Sequence, residues 1–174
     1  MNLKFTLAYD GSLFQGSQKQ PNGMTVEDKL LKAFKKINIE TNIVLSGRTD
    51  KEVHATGQVF NCVVPDFWQD FFKLKDILNK NLPSSIKILR IQKVKDDFHS
   101  RFHAKKRVYR YLITTKPTTP FNNKFITHIK NVDEELLQKA IKEFIGVYDF
   151  KYFHKTGSDK ELTKREIFGA KSYK

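Results

Sequence analysis

Leu3, Phe5 and Leu7 alternate with polar or small residues at the start of the chain, the period-two pattern of a strand with one buried face. The chain then turns polar and glycine-containing from Asp10-Gly11 to Gly23, which reads as an ordered surface loop with Leu13, Phe14 and Met24 as apolar anchors. Thr25 is placed to cap a helix whose first turn carries Glu27 and Asp28, where negative charge meets the positive end of the helix dipole. Val26, Leu30, Ala33, Phe34 and Ile37 then recur at helical spacing and predict a helix covering the sheet. Two apolar runs, Ile43 to Leu45 and Val59 to Val64, predict the second and third strands. After Pro65, Phe71 to Leu78 predicts a second helix ending near Asn81-Leu82-Pro83. Ile86, Ile88, Leu89, Ile91 and Val94 predict a fourth strand, with room for a bulge between Ile88 and Leu89. The order β-α-β-β-α-β predicts an α+β, ferredoxin-like domain with two helices on one face of an antiparallel sheet and the other face open to a partner.

From Asp96 to Lys106 a charged segment crosses into a second unit, so the expected division is 1–106 for the first domain and 107–174 for a partial second α/β domain. Val108 to Ile113 has strand propensity, and the connection from Thr114 to Asn123 carries Pro117 and Pro120. Asp133 can cap a third helix whose Leu136, Leu137, Ala140, Ile141, Phe144 and Ile145 form an apolar stripe ending at Gly146. Tyr148 to Phe153 is rich in aromatic residues and reads first as packing. His154 to Lys164 has no periodicity, and Glu166-Ile167-Phe168 begins another strand. One strand, one helix and the start of a second strand are too little sheet to bury the helix stripe well.

Charge narrows the partners. The chain has 174 residues and a net charge of +13, from 32 Lys and Arg against 19 Asp and Glu. Such an excess favours a polyanion, nucleic acid ahead of an anionic membrane. A lysine-rich solubilising surface accounts for scattered lysines but less well for the run from Lys87 to Lys116, where ten Lys or Arg face only Asp96 and Asp97. Cys62 is the single cysteine, so neither an intrachain disulfide nor a thiolate metal cluster can form, and it reads as an apolar strand residue. The chain opens directly into strand-like sequence, with no charged leader and apolar core and no run near the roughly 20 apolar residues that cross a bilayer. The expectation is a cytoplasmic protein without a membrane partner.

The most chemically varied stretch runs from Val44 to Phe60. Between its apolar ends lies a polar loop bounded by Gly47 and Gly57, carrying Arg48, Thr49, Asp50 and His54. Loops held by strands are where reactive groups are usually placed. Residue types alone leave two readings of Asp50 open: a turn-capping carboxylate paired with Arg48, or a reactive carboxylate. Walker A, G-x-G-x-x-G, H-E-x-x-H and G-x-S-x-G patterns are absent, which lowers the case for the enzymes that carry them.

The stretch Gly47-Arg48-Thr49-Asp50 with Val53-His54-Ala55 resembles the signature of the TruA-type tRNA pseudouridine synthase family, which reads G-R-T-D, two small residues, then V-H-A or V-H-G. Tyr9-Asp10-Gly11 and Phe14 to Pro21 resemble the family's Y-D-G, F-x-G-W-Q and Q-x-Q-P elements, with Ser17 standing where the family usually has Trp. Thr25-Val26-Glu27 is similar to the opening of its first helix. Phe98 to Phe102 and Tyr109-Arg110-Tyr111 resemble its F-x-A-R-F and Y-x-Y elements.

The resemblance implies isomerisation of uridine to pseudouridine near the 3′ side of the anticodon arm of tRNA, without cofactor or metal, by a homodimer. Asp50 takes the family's catalytic place and Tyr109 that of the aromatic stacking on the target base, although local sequence alone favours a strand-core Tyr. Arg48, Arg101, Lys105, Lys106, Arg107 and Arg110 become substrate-binding candidates, with His54 contacting loop backbone or substrate. In a partly desolvated cleft Asp50 needs a cation to stay ionised, and no F-L-x-x-x-V-R-like element supplying the family's distal Arg follows. The chain is accordingly expected to be a fragment, a truncated product or a divergent copy with doubtful activity alone. The alternative is a non-catalytic RNA-binding or RNA-chaperone protein derived from such a synthase.

Overall fold

The computed structural model describes residues 1–21, 23–153 and 163–173. Most of the stretch without periodicity, residues 154–162, lies outside them. The described chain forms two compact units, Met1–Arg110 and Tyr111–Lys174.

In the first unit the strands are β1 (Asn2–Tyr9), β2 (Val44–Leu45), β3 (Ala55–Val63) and β4 (Ile86–Lys93), and the helices α1 (Val26–Lys35) and α2 (Phe71–Asn81). The sheet order is β2-β3-β1-β4, with every neighbouring pair antiparallel. The alternation read in β1 sends Leu3, Phe5 and Leu7 into the core, where they meet Phe60 and Cys62 of β3, Ile86, Ile88 and Ile91 of β4, and the buried faces of both helices. Phe5 and Phe60 stack with centroids 4.5 Å apart, and Phe34 of α1 meets Phe5 edge-on at 5.6 Å. Each buried ring contributes roughly 1.5–3 kcal/mol of transfer free energy.

The helices start where the sequence predicts. Thr25 and Asp28 form a reciprocal capping box on α1, and the Asp70 carboxylate accepts from the Lys73 amide at the start of α2. The bulge in β4 falls at Leu89: Thr6 pairs with Arg90 while Leu7 pairs with Ile88, which turns Leu89 outward. A second irregularity lies in β3, where Leu7 pairs with Gln58 but Tyr9 with Ala55. This corrects the loop boundary. Gly57 sits inside β3, and the loop between β2 and β3 is residues 46–54. Leu13 and Met24 are largely exposed, so only Phe14 of the three expected anchors is buried.

After β4 the chain returns past the central strands β1 and β3, held by two buried amides. Asn2 Nδ2 donates to the carbonyls of Lys95, Asp96 and Phe98, while Asn61 Oδ1 accepts from both the Ser100 amide and its hydroxyl, at 2.8 and 2.7 Å. Asn61 Nδ2 completes the set by donating to Asn2 Oδ1 at 3.0 Å.

The second unit contains β5 (Ile113–Thr114) parallel to β6 (Thr127–His128), α3 (Glu134–Lys142), and β7 (Gly146–Asp149) antiparallel to β8 (Lys164–Ile167). The strand predicted over 108–113 is reduced to its last residue and Thr114. β-Branched and aromatic residues stabilise a strand only by packing against cross-strand neighbours, and among the described residues 108–111 pair with no other strand, while Leu112 O accepts from the Thr127 amide at 2.8 Å. Asp133 caps α3 by accepting from the Leu136 amide, and the helix ends at Lys142, short of the predicted Gly146. None of its residues is buried, so the apolar stripe is present but not covered within the described residues. In the aromatic stretch Phe150 meets Tyr148 and Phe153 edge-on, at 6.4 and 5.9 Å, and Phe153 meets Phe144 at 6.3 Å, while Tyr152 is open to solvent.

Candidate active site

The loop at 46–54 is held from both sides before it reaches Asp50. Ser46 extends the β2–β3 ladder by donating its amide to Val59 O at 2.8 Å. The side chain of Gln58 then spans the loop entrance: its Oε1 accepts from the Ser46 hydroxyl at 2.7 Å and its Nε2 donates to Gly47 O at 2.7 Å. Thr49 is fixed from the other side by Ser17, whose amide donates to Thr49 O at 3.0 Å and whose hydroxyl accepts from the Thr49 amide at 2.8 Å. Beneath them the Tyr9 hydroxyl lies 2.8 Å from Thr49 Oγ1. Burial pushes the Tyr9 phenol above its ordinary range, partly opposed by hydrogen bonds with Thr49, Gln58 and Ser17.

Past this clamp the chain turns, with the Val53 amide donating to Asp50 O at 3.3 Å, and the Asp50 side chain projects outward. It is 72% exposed, with Arg48 Nε 3.5 Å from its Oδ1 and the Arg48 side chain itself 62% exposed. Arg48 is thus the cation beside Asp50 among the described residues. Water solvates the carboxylate, and an exposed pair of this kind is worth about 0–1 kcal/mol.

Two glycines in the preceding loop permit its close approach. A Cβ on Gly11 would lie 2.1 Å from Val53 O, and Gly16, at φ 104°, would place one 3.0 Å from Thr49 O. His54 ties the far end of the site loop to this turn, its Nδ1 accepting from the Gly11 amide at 3.1 Å and lying 3.2 Å from Asp10 Oδ1. One atom cannot accept from the amide and donate to the carboxylate at once, so a given ring state makes only one of these contacts as a hydrogen bond. Between them Glu52 holds φ at 66°, a left-handed conformation that a side chain disfavours. Lys51 and Glu52 thus occupy the two positions given to small residues in the signature pattern.

Arg107 closes the site from the segment after β4. Its Nη2 donates to Ser46 O at 2.6 Å and its side chain lies against Gly47, so it grips loop backbone. Tyr109 is 70% exposed, which removes the strand-core reading of its ring. Arg101, Lys105, Lys106 and Arg110 are exposed on the same segment. Among the described residues the structure brings Arg48, Arg107 and His54 to the Asp50 loop, whereas Arg101, Lys105, Tyr109 and Arg110 have no hydrogen bond or ion pair with Asp50. No group of three or more His, Cys, Asp or Glu with metal-binding geometry occurs among the described residues.

The sequence pattern of a family described as tRNA pseudouridine synthase matches residues 6–103, a span holding Tyr9, Ser17, Gln58, Asp50 and the buried Asn61. The chain belongs to this family. It is 38% identical over 161 residues to tRNA pseudouridine synthase A of Wolinella succinogenes, covering 92% of this chain and 64% of that protein. It is 39% identical over 171 residues to the protein of that name in Helicobacter pylori, covering 98% and 69%. The corresponding figures for Campylobacter jejuni are 36% over 173 residues, 99% and 72%. The chain thus spans about two thirds of the length of these curated relatives.

Family membership leaves each residue's role to be argued from geometry. The clamp residues Tyr9, Ser17 and Gln58 were not singled out as site residues from the sequence. Tyr9 and Ser17 fall within the family motifs and Gln58 in the third strand, but their convergence on Thr49 and Gly47 depends on β1, the polar loop and β3 lying side by side.

Proposed function

We propose that this chain carries the catalytic half of a tRNA pseudouridine synthase, with Asp50 as the reacting carboxylate. The observation that carries the proposal is the contrast within one loop: backbone from Ser46 to Thr49 is fixed by Gln58, Arg107 and Ser17, and the next side chain, Asp50, projects outward. A carboxylate presented from a rigid base is what attack on, or proton abstraction from, a nucleoside requires. The reaction breaks the N-glycosidic bond, turns the uracil, and joins its C5 to the sugar. Asp50 serves either as nucleophile or as base in an elimination route. Tyr109, exposed, can cover an extruded uracil, and stacking offsets part of the few kcal/mol, roughly, that extrusion costs. Arg48, Arg101, Lys105, Lys106 and Arg110 supply phosphate contacts, while Arg107 and His54 hold the loop.

The relatives' names include tRNA, and the basic run from Lys87 to Lys116 supports an RNA substrate. We assign the substrate uridines to the anticodon arm, the working form to a homodimer and the location to the cytoplasm. A ferredoxin-like reading of the first unit is supported by the sheet order and by α1 and α2 sharing one core. The second reading, a non-catalytic RNA-binding protein, is favoured by the openness of Asp50 and the absence of a buried residue in α3.

Pseudouridine mapping by carbodiimide-dependent reverse-transcription stops separates them. With the remaining third of a relative supplied, Asp50→Ala and Asp50→Asn are expected to abolish modification while tRNA binding stays within about twofold, since Asp50 is assigned to the nucleoside and the cations to phosphates. Modification at wild-type level by Asp50→Ala would overturn the catalytic assignment. The 174-residue chain alone is expected to modify little or nothing.

A further inference from the structure

The turn 98–103 carries an aromatic pair that the catalytic reading leaves unused. His99 and Phe102 stack with ring centroids 4.2 Å apart and planes 24° from parallel, while Phe102 remains 77% exposed. The pair is rigidly mounted. The Phe102 amide donates to His99 Nδ1 at 3.3 Å, the His99 amide to His103 Nδ1 at 3.3 Å, and the His103 amide to His99 O at 2.9 Å. His103 in turn meets Phe98 edge-on at 5.8 Å. The whole turn is pinned to the sheet at Ser100 by Asn61 and at the Phe98 carbonyl by Asn2. The amides hold the backbone on the N-terminal side of Phe102, and the ring itself contributes almost nothing to the core.

The surroundings are cationic. Arg101 adjoins Phe102 in the chain, Lys105 and Lys106 follow, and all three are exposed. An aromatic face set among cations fits the stacking of an unpaired nucleobase whose flanking phosphates meet the cations. We propose that the His99–Phe102 pair is a stacking platform for an unpaired RNA base other than the one undergoing isomerisation. The ligand class is single-stranded or loop RNA. Stacking needs no base-edge hydrogen bond, so the platform tolerates any base but requires that it be unstacked from its own neighbours. This inference rests on the RNA-binding reading above.

Fluorescence anisotropy on the 174-residue chain tests it, with a labelled RNA hairpin bearing an unpaired loop and a fully paired RNA duplex of the same length as probes. Phe102→Ala is expected to weaken hairpin binding by roughly 5- to 100-fold, to leave duplex binding within about twofold, and to keep the salt dependence unchanged. Phe102→Trp should retain hairpin affinity, and Phe102→Leu should fall with the alanine variant because it keeps apolar area but loses the ring. Lys105→Ala should instead weaken both RNAs and flatten the salt dependence. Since Phe102 is exposed, these variants are expected to fold as wild type does, which circular dichroism checks. Equal losses on hairpin and duplex, no loss, or retention of hairpin affinity by Phe102→Leu would each overturn the platform. Wild-type binding of both RNAs with an unaffected Phe102→Ala variant overturns the platform alone. Failure of wild type to bind either RNA removes the RNA reading and the platform together. Self-association lost on Phe102→Ala without change in RNA affinity would assign the ring to a protein contact and overturn the proposal.

Discussion

Glu52 shows how one residue can be at odds with the loop around it. Its backbone lies in the left-handed region, where a side chain costs roughly 1–2 kcal/mol, and its 3.7 Å contact with Lys51 is an exposed pair that recovers little. Glu52→Gly removes the steric cost and adds back some unfolded-state entropy, for an expected net stabilisation of roughly 0.5–1 kcal/mol. Urea denaturation measures it, and a destabilised variant would show that the Glu52 side chain contributes more than its contacts indicate. Cys62 offers a pH-dependent counterpart. Burial pushes its thiol up from an ordinary value near 9 to about 12, with a weaker opposing hydrogen bond from Thr41. Below pH 9 the thiol is protonated in both states and its contribution to stability is fully present. Between about 9 and 12 only the unfolded chain ionises, so stability falls as pH rises through that window. Cys62→Ala should cost stability at neutral pH but flatten the alkaline limb of a stability profile, and wild-type labelling by a thiol reagent at pH 8 should track unfolding rather than local exposure.

At the scale of elements, identical local signals lead to different outcomes. Both α1 and α3 have an acidic first turn, a side-chain cap and an apolar stripe, and both form. Of the two, α1 is covered, with Val26, Leu30, Ala33 and Phe34 buried, while among the described residues α3 has none buried and Leu137 and Ile141 only half-buried. Capping and propensity contribute about 1 kcal/mol each at best, whereas the covered stripe contributes several times that. Hydrogen exchange should therefore protect amides of α1, β1 and β3 to near the global unfolding free energy, with α3 exchanging at least about 100-fold faster. Equal protection in α3 of the isolated monomeric chain would mean that its stripe is covered after all.

For the molecule as a whole, the charge excess of +13 is concentrated enough to act as a field. tRNA binding is expected to weaken steeply with salt, each phosphate contact contributing roughly 0.7–0.9 to the slope of log affinity against log salt concentration. Filter binding at several salt concentrations measures this slope, and affinity independent of salt would remove the basic segment from the interface. The same segment illustrates what was legible early and what was not. Arg107 carries the same charge as Lys105 and Arg110 and stands among them, so nothing local marks it as different; the fold brings Arg107 alone of the three to the Ser46 carbonyl.

Local chemistry was sufficient for the first unit's elements and for the start of α3, because alternation in β1, helical spacing in α1, and the caps at Thr25 and Asp133 are properties of neighbouring residues. Local chemistry left Asp50 between a turn-capping and a reactive carboxylate, and it was the resemblance of Gly47-Arg48-Thr49-Asp50 to the family signature that singled it out. Tertiary structure decided the rest: that Gly57 belongs to β3, that Ser17 and Gln58 fix the loop from opposite sides, and that Asp50 is open to water. It also decided that residues 108–112 form no strand, despite their composition. Each of these outcomes depends on what a residue meets from a distant part of the chain. Hydrogen bonds such as Ser17 to Thr49 join positions 32 apart, and no window of neighbouring residues contains both partners.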